Sequence, residues 1–256
     1  LQEGAHQFEM IDPEHDFSRF SVLVLPDEIP VNTDLAAKLK KFISDGGSII
    51  ASYHSGLDPE GNDFALKEMG LKLIGNSPYS PDFIVPDGSL GNTLPFTEHV
   101  MYMRGMEVEL EDGAELLTNT NNPYFNRTHE HFCSHQHTPS SGEVGVPAVV
   151  RNGQIIYFSH PIFTQYHDNA PRWIKQLFLD ALQILLPDPL VYITAPSTAL
   201  TALNHQPESG RMVLHLLHYV PERRGQKFDV IEDVIPIFEI DVSMRVNMHI
   251  TGVSCV

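Results

Sequence analysis

Along the first quarter of the chain the apolar positions change period twice. Phe20 to Pro26, FSVLVLP, is a short β-branched run stopped by proline, the pattern of a buried strand. In the following VNTDLAAKLKKFISDGG, residues Leu35, Leu39, Phe42 and Ile43 share one helical face. Asn32 or Thr33 can cap that helix and Gly46 can close it. SIIASY, Ser48 to Tyr53, reads as the next strand. Strand, helix and strand in this order predict a βαβ unit with a right-handed crossover.

The middle of the chain is less regular. NDFALKEMG predicts a short helix with Asn62 or Asp63 as cap and Gly70 just past its end. Ser77 to Pro95 is rich in proline and glycine and is expected to be largely loop. VMYM, MEVEL and AELLTNT, between Val100 and Thr120, are short strand patterns. VPAVVRNGQIIYFS holds two alternating runs joined at Asn152-Gly153, which predicts a hairpin with a type I′ turn. In APRWIKQLFLDALQILLPDP, Ile174, Leu177, Phe178, Ala181, Leu182 and Leu185 form a helical stripe that Pro187 and Pro189 end.

Beyond Pro189 the period falls to two. RMVLHLLHYV and EIDVSMRVNMHI alternate, the second placing Ile240, Val242, Met244, Val246, Met248 and Ile250 on one face. The shift marks a domain boundary near residues 187 to 190. It divides the chain into an α/β domain, 1–188, and an antiparallel β module, 189–256, that looks incomplete. Internal repeats and low-complexity segments are not seen. The chain opens on Leu1 and closes on the apolar MHITGVSCV, so a piece of something longer is expected.

Composition narrows the partners. A hydrophobic fraction of 42% with 19% charged residues is that of a globular chain. The net charge of -17 argues against nucleic acid and anionic membrane, because phosphate binding needs basic side chains that would have to overcome this field. Two cysteines, Cys133 and Cys255, are too few for a disulfide framework and suggest a reducing, cytoplasmic setting. No apolar run is long enough for a transmembrane helix, and the N-terminus lacks a signal-peptide pattern.

Chemistry in an α/β fold is sought in loops beyond the carboxyl ends of the parallel strands. Three stretches fall there: SYHSGLDPEGND, SHPIFTQYHD and the histidine-rich HEHFCSHQHTP, His129 to Pro139. In an extended segment His131, Cys133, His135 and His137 would align on one face. Four parallel side chains cannot wrap one ion tetrahedrally. Two of them with a remote partner such as His160 or His99 could, so a zinc set of His131, Cys133, His135 and His160 is the metal alternative. Asp58, Glu60 and Asp63 are either crevice carboxylates or a solvated acidic loop.

A family resemblance rests on longer stretches. FSRFSVLVLPDEIPVNTDLAAKLKKFISDGGSIIASYHSGLD resembles the trimerisation domain of bacterial β-galactosidases, where a strand ending in LPD leads through a helix to GG, an apolar strand and SG. YFSHPIFTQYHDNAPRWIKQLFLDALQILLPDPLV resembles the closing helix of that domain in glycoside hydrolases related to α-L-fucosidases. The resemblance implies a flavodoxin-like, three-layer fold of the class I glutamine amidotransferase type. It also implies a homo-oligomer, a trimer first, attached to an upstream catalytic barrel that acts on carbohydrate.

The residues depart from amidotransferase chemistry. That reaction needs a cysteine nucleophile at the elbow and a histidine oriented by a carboxylate. Here the elbow reads ASYHSGLD, and His160-Pro161-Ile162 puts isoleucine where the orienting carboxylate is required. A serine route through Ser55, His160 and Asp58 lacks the small residues on both sides that a nucleophile elbow needs. A glycosidase needs two carboxylates across a sugar ring, and a barrel needs about 200 residues or more, which this chain cannot spare.

The chain is therefore expected to be a non-catalytic part of a glycoside hydrolase, with no cofactor and no catalytic residue of its own. An independent hydrolase, metal-dependent or Ser/His-based, is the alternative. Imidazole, tyrosine and arginine suit sugar hydroxyls and ring faces. Tyr124, Arg127, His129, His135 and His137 in the histidine-rich loop, with His54 and Asp58, are the candidates for contacting carbohydrate. Packing of that loop inside an interface is the other reading.

Overall fold

A computed structural model of the chain describes residues 1–86, 89–247 and 249–255. Two compact units are present, one of residues 13–186 and one of residues 1–12 with 187–256.

The larger unit contains β1 (Val22–Leu25), α1 (Thr33–Ser44), β2 (Ser48–Ser52), β3 (Leu71–Asn76), β4 (Asp82–Ile84), β5 (His99–Met101), β6 (Met106–Leu110), β7 (Glu115–Pro123), β8 (Ser140–Asn152), β9 (Ile155–Phe158), α2 (Ile162–Asn169) and α3 (Arg172–Leu185). Seven strands form one mixed sheet in the order β1-β2-β9-β8-β7-β4-β5. The pairs β1/β2 and β2/β9 are parallel, and every pair from β9 onward is antiparallel. β3 and β6 make a separate antiparallel ribbon.

The expected βαβ unit forms, and its helix is held as its sequence predicts. Asn32 Oδ1 accepts from Leu35 N at 2.9 Å, Leu35, Leu39 and Phe42 are buried, and Gly46 takes the left-handed conformation (φ 97°) that lets the chain turn. β2 is buried along its whole length: Ile49, Ile50 and Ala51 are its apolar centre, and the serines at its two ends are hydrogen-bonded, Ser48 to Gln154 and Ser52 to Asp27. α3 buries Ile174, Leu177, Phe178, Ala181 and Leu182, the stripe marked by its period.

Elsewhere the structure departs from the sequence pattern. NDFALKEMG is no α-helix: only Lys67–Met69 makes a 3-10 turn. Asp63, expected as a cap, accepts instead from Phe64 N (2.8 Å) and Leu73 N (3.0 Å), and Leu57 bridges Phe64. Nine residues tied down at both ends hold too few turns to repay helix nucleation. Within the proline- and glycine-rich stretch lies β4, whose three residues are all buried. The β8–β9 hairpin is present, but its turn is centred one residue later than expected, on Gly153 and Gln154. Only Gly153 has positive φ (54°), whereas type I′ needs two such residues. SHPIFTQYHD, expected as a loop, contributes α2.

In the smaller unit, β10 (Val191–Ile193) pairs with the last strand, β15 (Val242–Met244), β11 (Ala199–Gln206) with β12 (Arg211–His218), and β13 (Glu222–Arg223) with β14 (Asp229–Val230). These are three separate antiparallel ribbons. Residues 1–12 join them through Gln7, whose Oε1 accepts from Leu203 N at 2.8 Å. Among the described residues of EIDVSMRVNMHI, three are in a strand. Ile240, Val246 and Ile250 lie outside strands, and Met248 lies outside the described residues. Val242 and Ile250 are each 45% exposed, so alternation here lacks the buried face that would pin its register.

Candidate functional site

The carboxyl ends of β1 and β2 open into two loops that are laced together. His54 N donates to Asp27 O (2.8 Å), Ile29 N to Ser55 Oγ (2.9 Å), Gly56 N to Ile29 O (3.1 Å) and Val31 N to Leu57 O (2.8 Å). At each strand end stands a non-glycine residue with positive φ, Asp27 (49°) and Tyr53 (54°), a conformation that persists only where neighbours enforce it. Asp27 is held by its side chain. Its carboxylate accepts from Ser52 Oγ (2.6 Å), Thr164 N (2.6 Å) and Thr164 Oγ1 (2.8 Å), and so caps the amino end of α2 from the far side of the sequence. Tyr53 is held at its carbonyl by the buried Tyr157 hydroxyl, 2.5 Å away.

This lacing presents an acidic cleft of about 450 Å³, whose wall includes Glu28, His54, Asp58, Glu60, Asn76 and Met106. His54 Nδ1 lies 3.1 Å from Glu28 Oε2, and the His54 ring stacks on Tyr53 with centroids 3.8 Å apart. Burial first, then the Glu28 and Asp27 charges, push the Tyr53 phenol above its ordinary value. Asp58 Oδ1 accepts from Asn62 N at 2.8 Å and shapes the rim. Glu28 was not singled out from sequence; its signal is its place directly after the strand end in LPDE.

The residues of the serine route do not meet. Ser55 is 0% exposed and its oxygen is engaged by Ile29 N. His160 is also buried, with Nε2 2.8 Å from Asp82 Oδ1 and Nδ1 3.2 Å from Ser159 Oγ. Gly105 backs the imidazole so closely that an added Cβ would lie 2.9 Å from Cδ2 and Nε2.

The histidine-rich loop lies elsewhere, at the end of β7 and β8. It is a loop, and the extended form that would align its alternating side chains is not taken: among the described residues no strand runs from Tyr124 to Pro139. Arg127 Nη1 donates to Gln136 O (2.5 Å), His131 stacks on Phe125 (3.8 Å), and Cys133 Sγ contacts the carbonyls of His135 and His137 (3.7 and 3.5 Å). His137 turns inward against Phe83 and Tyr102. Tyr124 and Phe132 stay 68% and 67% exposed, and His129 and His135 are exposed as well. His131, Cys133, His135 and His160 do not form one ligand set: among the described residues no three His, Cys, Asp or Glu side chains are placed to hold a metal ion. Among those residues also, no helix is long and apolar enough to cross a membrane.

Within one chain, then, the sequence-marked residues fall into two groups. His54 and Asp58 wall the cleft, while Tyr124, Arg127, His129 and His135 sit on the loop. No hydrogen bond, ion pair or ring contact among the described residues joins the groups.

Residues 2–183 match the family model of the β-galactosidase trimerisation domain. The chain belongs to that family. A comparison with curated proteins returns no match. Among solved structures, α-L-fucosidase isoenzyme 2 from Paenibacillus thiaminolyticus aligns with a TM-score of 0.90 and 35% identity over 96% of this chain and 37% of its own. The cold-adapted β-galactosidase from Rahnella sp. R3 aligns with a TM-score of 0.60 and 13% identity over 94% of this chain and 34% of its own, a likeness of fold. The chain thus spans about a third of the length of these two proteins.

Proposed function

We propose that the chain is the non-catalytic, oligomerising part of a cytoplasmic glycoside hydrolase of the α-L-fucosidase or β-galactosidase type. In this reading residues 1–188 are a flavodoxin-like, amidotransferase-derived domain that drives trimer formation, and 189–256 are an accessory β module. The catalytic carboxylates belong to a (β/α)8 barrel carried elsewhere in the polypeptide. The carrying observation is the family match over 2–183 together with 35% identity to a fucosidase of which this chain spans 37%. The engagement of Ser55 and His160 in buried structural contacts supports it, since neither is free to act on substrate.

Tyr124, Arg127, His129, His135 and His137 on the loop, with His54 and Asp58 in the cleft, would supply outer contacts to the sugar site. Their hydrogen-bonding and stacking groups suit hydroxyls and an apolar ring face. Sedimentation velocity on the purified chain tests the main reading. A trimer is expected, together with no turnover of aryl glycosides or aryl esters, with or without a chelator. A monomer at every concentration, or turnover that depends on Ser55 or His160, overturns it.

A further inference from the structure

We infer that the rings of His99, Trp173, Tyr102 and His137 form a non-catalytic binding site for a neutral pyranose sugar, separate from the cleft. The choice of a sugar rests on the glycoside-hydrolase reading; the site itself rests on geometry.

Four separate stretches bring the rings together. His99 opens β5, the last strand of the sheet, Tyr102 follows that strand, Trp173 lies in the first turn of α3, and His137 belongs to the histidine-rich loop. The rings stand in a row. His99 stacks on Trp173 with centroids 5.4 Å apart and planes 20° apart, Trp173 neighbours Tyr102 at 6.5 Å, and Tyr102 neighbours His137 at 6.2 Å. Tyr102 is 38% exposed and the other three are half-buried, so the row lies at the surface and not in the core. Aromatic faces at a surface suit the C–H face of a pyranose ring.

Unpaired polar atoms mark the same place. Four of the five buried side-chain polar atoms without a hydrogen-bond partner among the described residues belong to the row or to its neighbours. Trp173 Nε1 and His137 Nδ1 are on the rings, and Thr138 Oγ1 follows His137 in the chain. Gln165 Nε2 is the fourth, on a side chain whose Oε1 accepts from Met103 N, next to Tyr102, at 3.1 Å. Gln165 and Thr138 are 0% and 1% exposed. Unpaired buried groups are costly, and folded chains keep few of them. Their gathering beside one row of rings points to pairing supplied from outside the chain. A sugar hydroxyl both donates and accepts, so it serves an indole or amide N–H and a bare imidazole nitrogen alike. These nitrogens are shut from solvent in the free chain, so the ligand has to turn the indole and the imidazole. Neither turn breaks a hydrogen bond at Nε1 or Nδ1. The net charge of -17 favours a neutral ligand over a phosphorylated one.

Trp173 is the chain's one tryptophan, so its emission reports this site directly. The whole chain is titrated with L-fucose and with D-galactose, the sugars named by the two similar structures, and with D-mannitol, which has hydroxyls but no ring. A saturable change is expected with a sugar and none with mannitol, half-complete at roughly 3 mM, the affinity that about a dozen heavy atoms supply at ordinary ligand efficiency. Tyr102→Ala and His99→Ala are each expected to weaken binding about fivefold, and Tyr102→Phe, which keeps the ring, to leave it within about twofold. Melting temperatures show that the variants fold. Should the alanine variants fold poorly, the single indole N–H resonance of Trp173 in the unaltered chain decides: it must move with a sugar and stay still with mannitol. No saturable change with either sugar up to about 100 mM overturns the site, as does an equal change with mannitol or an unchanged affinity in both alanine variants. A saturable response to a proline-rich peptide with none to the sugars overturns it too. Each of these results leaves the oligomerisation reading standing, since that reading is judged by a trimer without turnover, and turnover dependent on Ser55 or His160 overturns that reading alone.

Discussion

His160 Nε2 lies 2.8 Å from Asp82 Oδ1 with both side chains 2% exposed, although β9 and β4, which bring them, are separated by β8 and β7 in the sheet. In a flat sheet three strand spacings would hold their backbones about 14 Å apart. The contact requires the sheet to curve toward its β4 edge, and it anchors a three-residue strand that local pairing would hold only weakly. Asp82→Ala or His160→Ala alone strands a buried polar partner and is expected to cost about 3 kcal/mol, with the double variant losing clearly less than the sum. Urea unfolding of the four proteins reads the coupling directly, and strict additivity would show that the pair is incidental.

Asp27 caps a helix whose own preceding residue, Pro161, offers no side-chain cap. Asp27→Ala should destabilise the chain by about 2 kcal/mol, and Asp27→Asn, which keeps an acceptor, by less. Melting curves for the two substitutions give the ranking; equal stability of all three proteins would mean that α2 gains nothing from the carboxylate.

Ser55→Ala leaves Ile29 N without its acceptor in a buried turn. A loss of about 1 kcal/mol is expected, with no change in any hydrolytic rate of the preparation. A fall in ester or glycoside hydrolysis at unchanged stability would instead make Ser55 a nucleophile.

Burial pushes the Tyr157 phenol far above its ordinary range, so the folded protein keeps a proton that the unfolded chain releases near pH 10. Stability from this group is full below about pH 10 and is lost as pH rises beyond it. Tyrosinate absorbance should therefore show one phenol that ionises only with unfolding. Tyr157→Phe should remove that alkaline sensitivity while forfeiting about 1 kcal/mol from the bond to Tyr53 O. A Tyr157 that ionises freely in the folded state contradicts this account.

The elements legible in the sequence are those whose signal lies in consecutive residues. The stripe from Ile174 to Leu182, the run of β2 and the Asn32 cap state their periods and ends locally, so β1, α1, β2 and α3 form where expected. The candidate site was marked in the sequence as residue types but not as geometry. His54 and Asp58 were marked without Glu28, and the four members of the metal alternative were grouped by spacing although His160 is committed to Asp82. The histidine-rich loop alternates on paper, but its ties from Arg127 and Cys133 bend it out of extended form.

By itself, then, the sequence determined the parallel β1-β2 unit, the long hairpin, the amphipathic closing helix and the absence of a cysteine elbow, because each depends on residues a few positions apart. Only the tertiary structure decided that α2 would form in a stretch without a local cap, that Asp82–Ile84 would be a strand amid prolines, and that cleft and loop would stand apart. The partners that settle those outcomes, Asp27 for Thr164 and His160 for Asp82, come from distant parts of the chain, and only folding brings them within hydrogen-bonding distance.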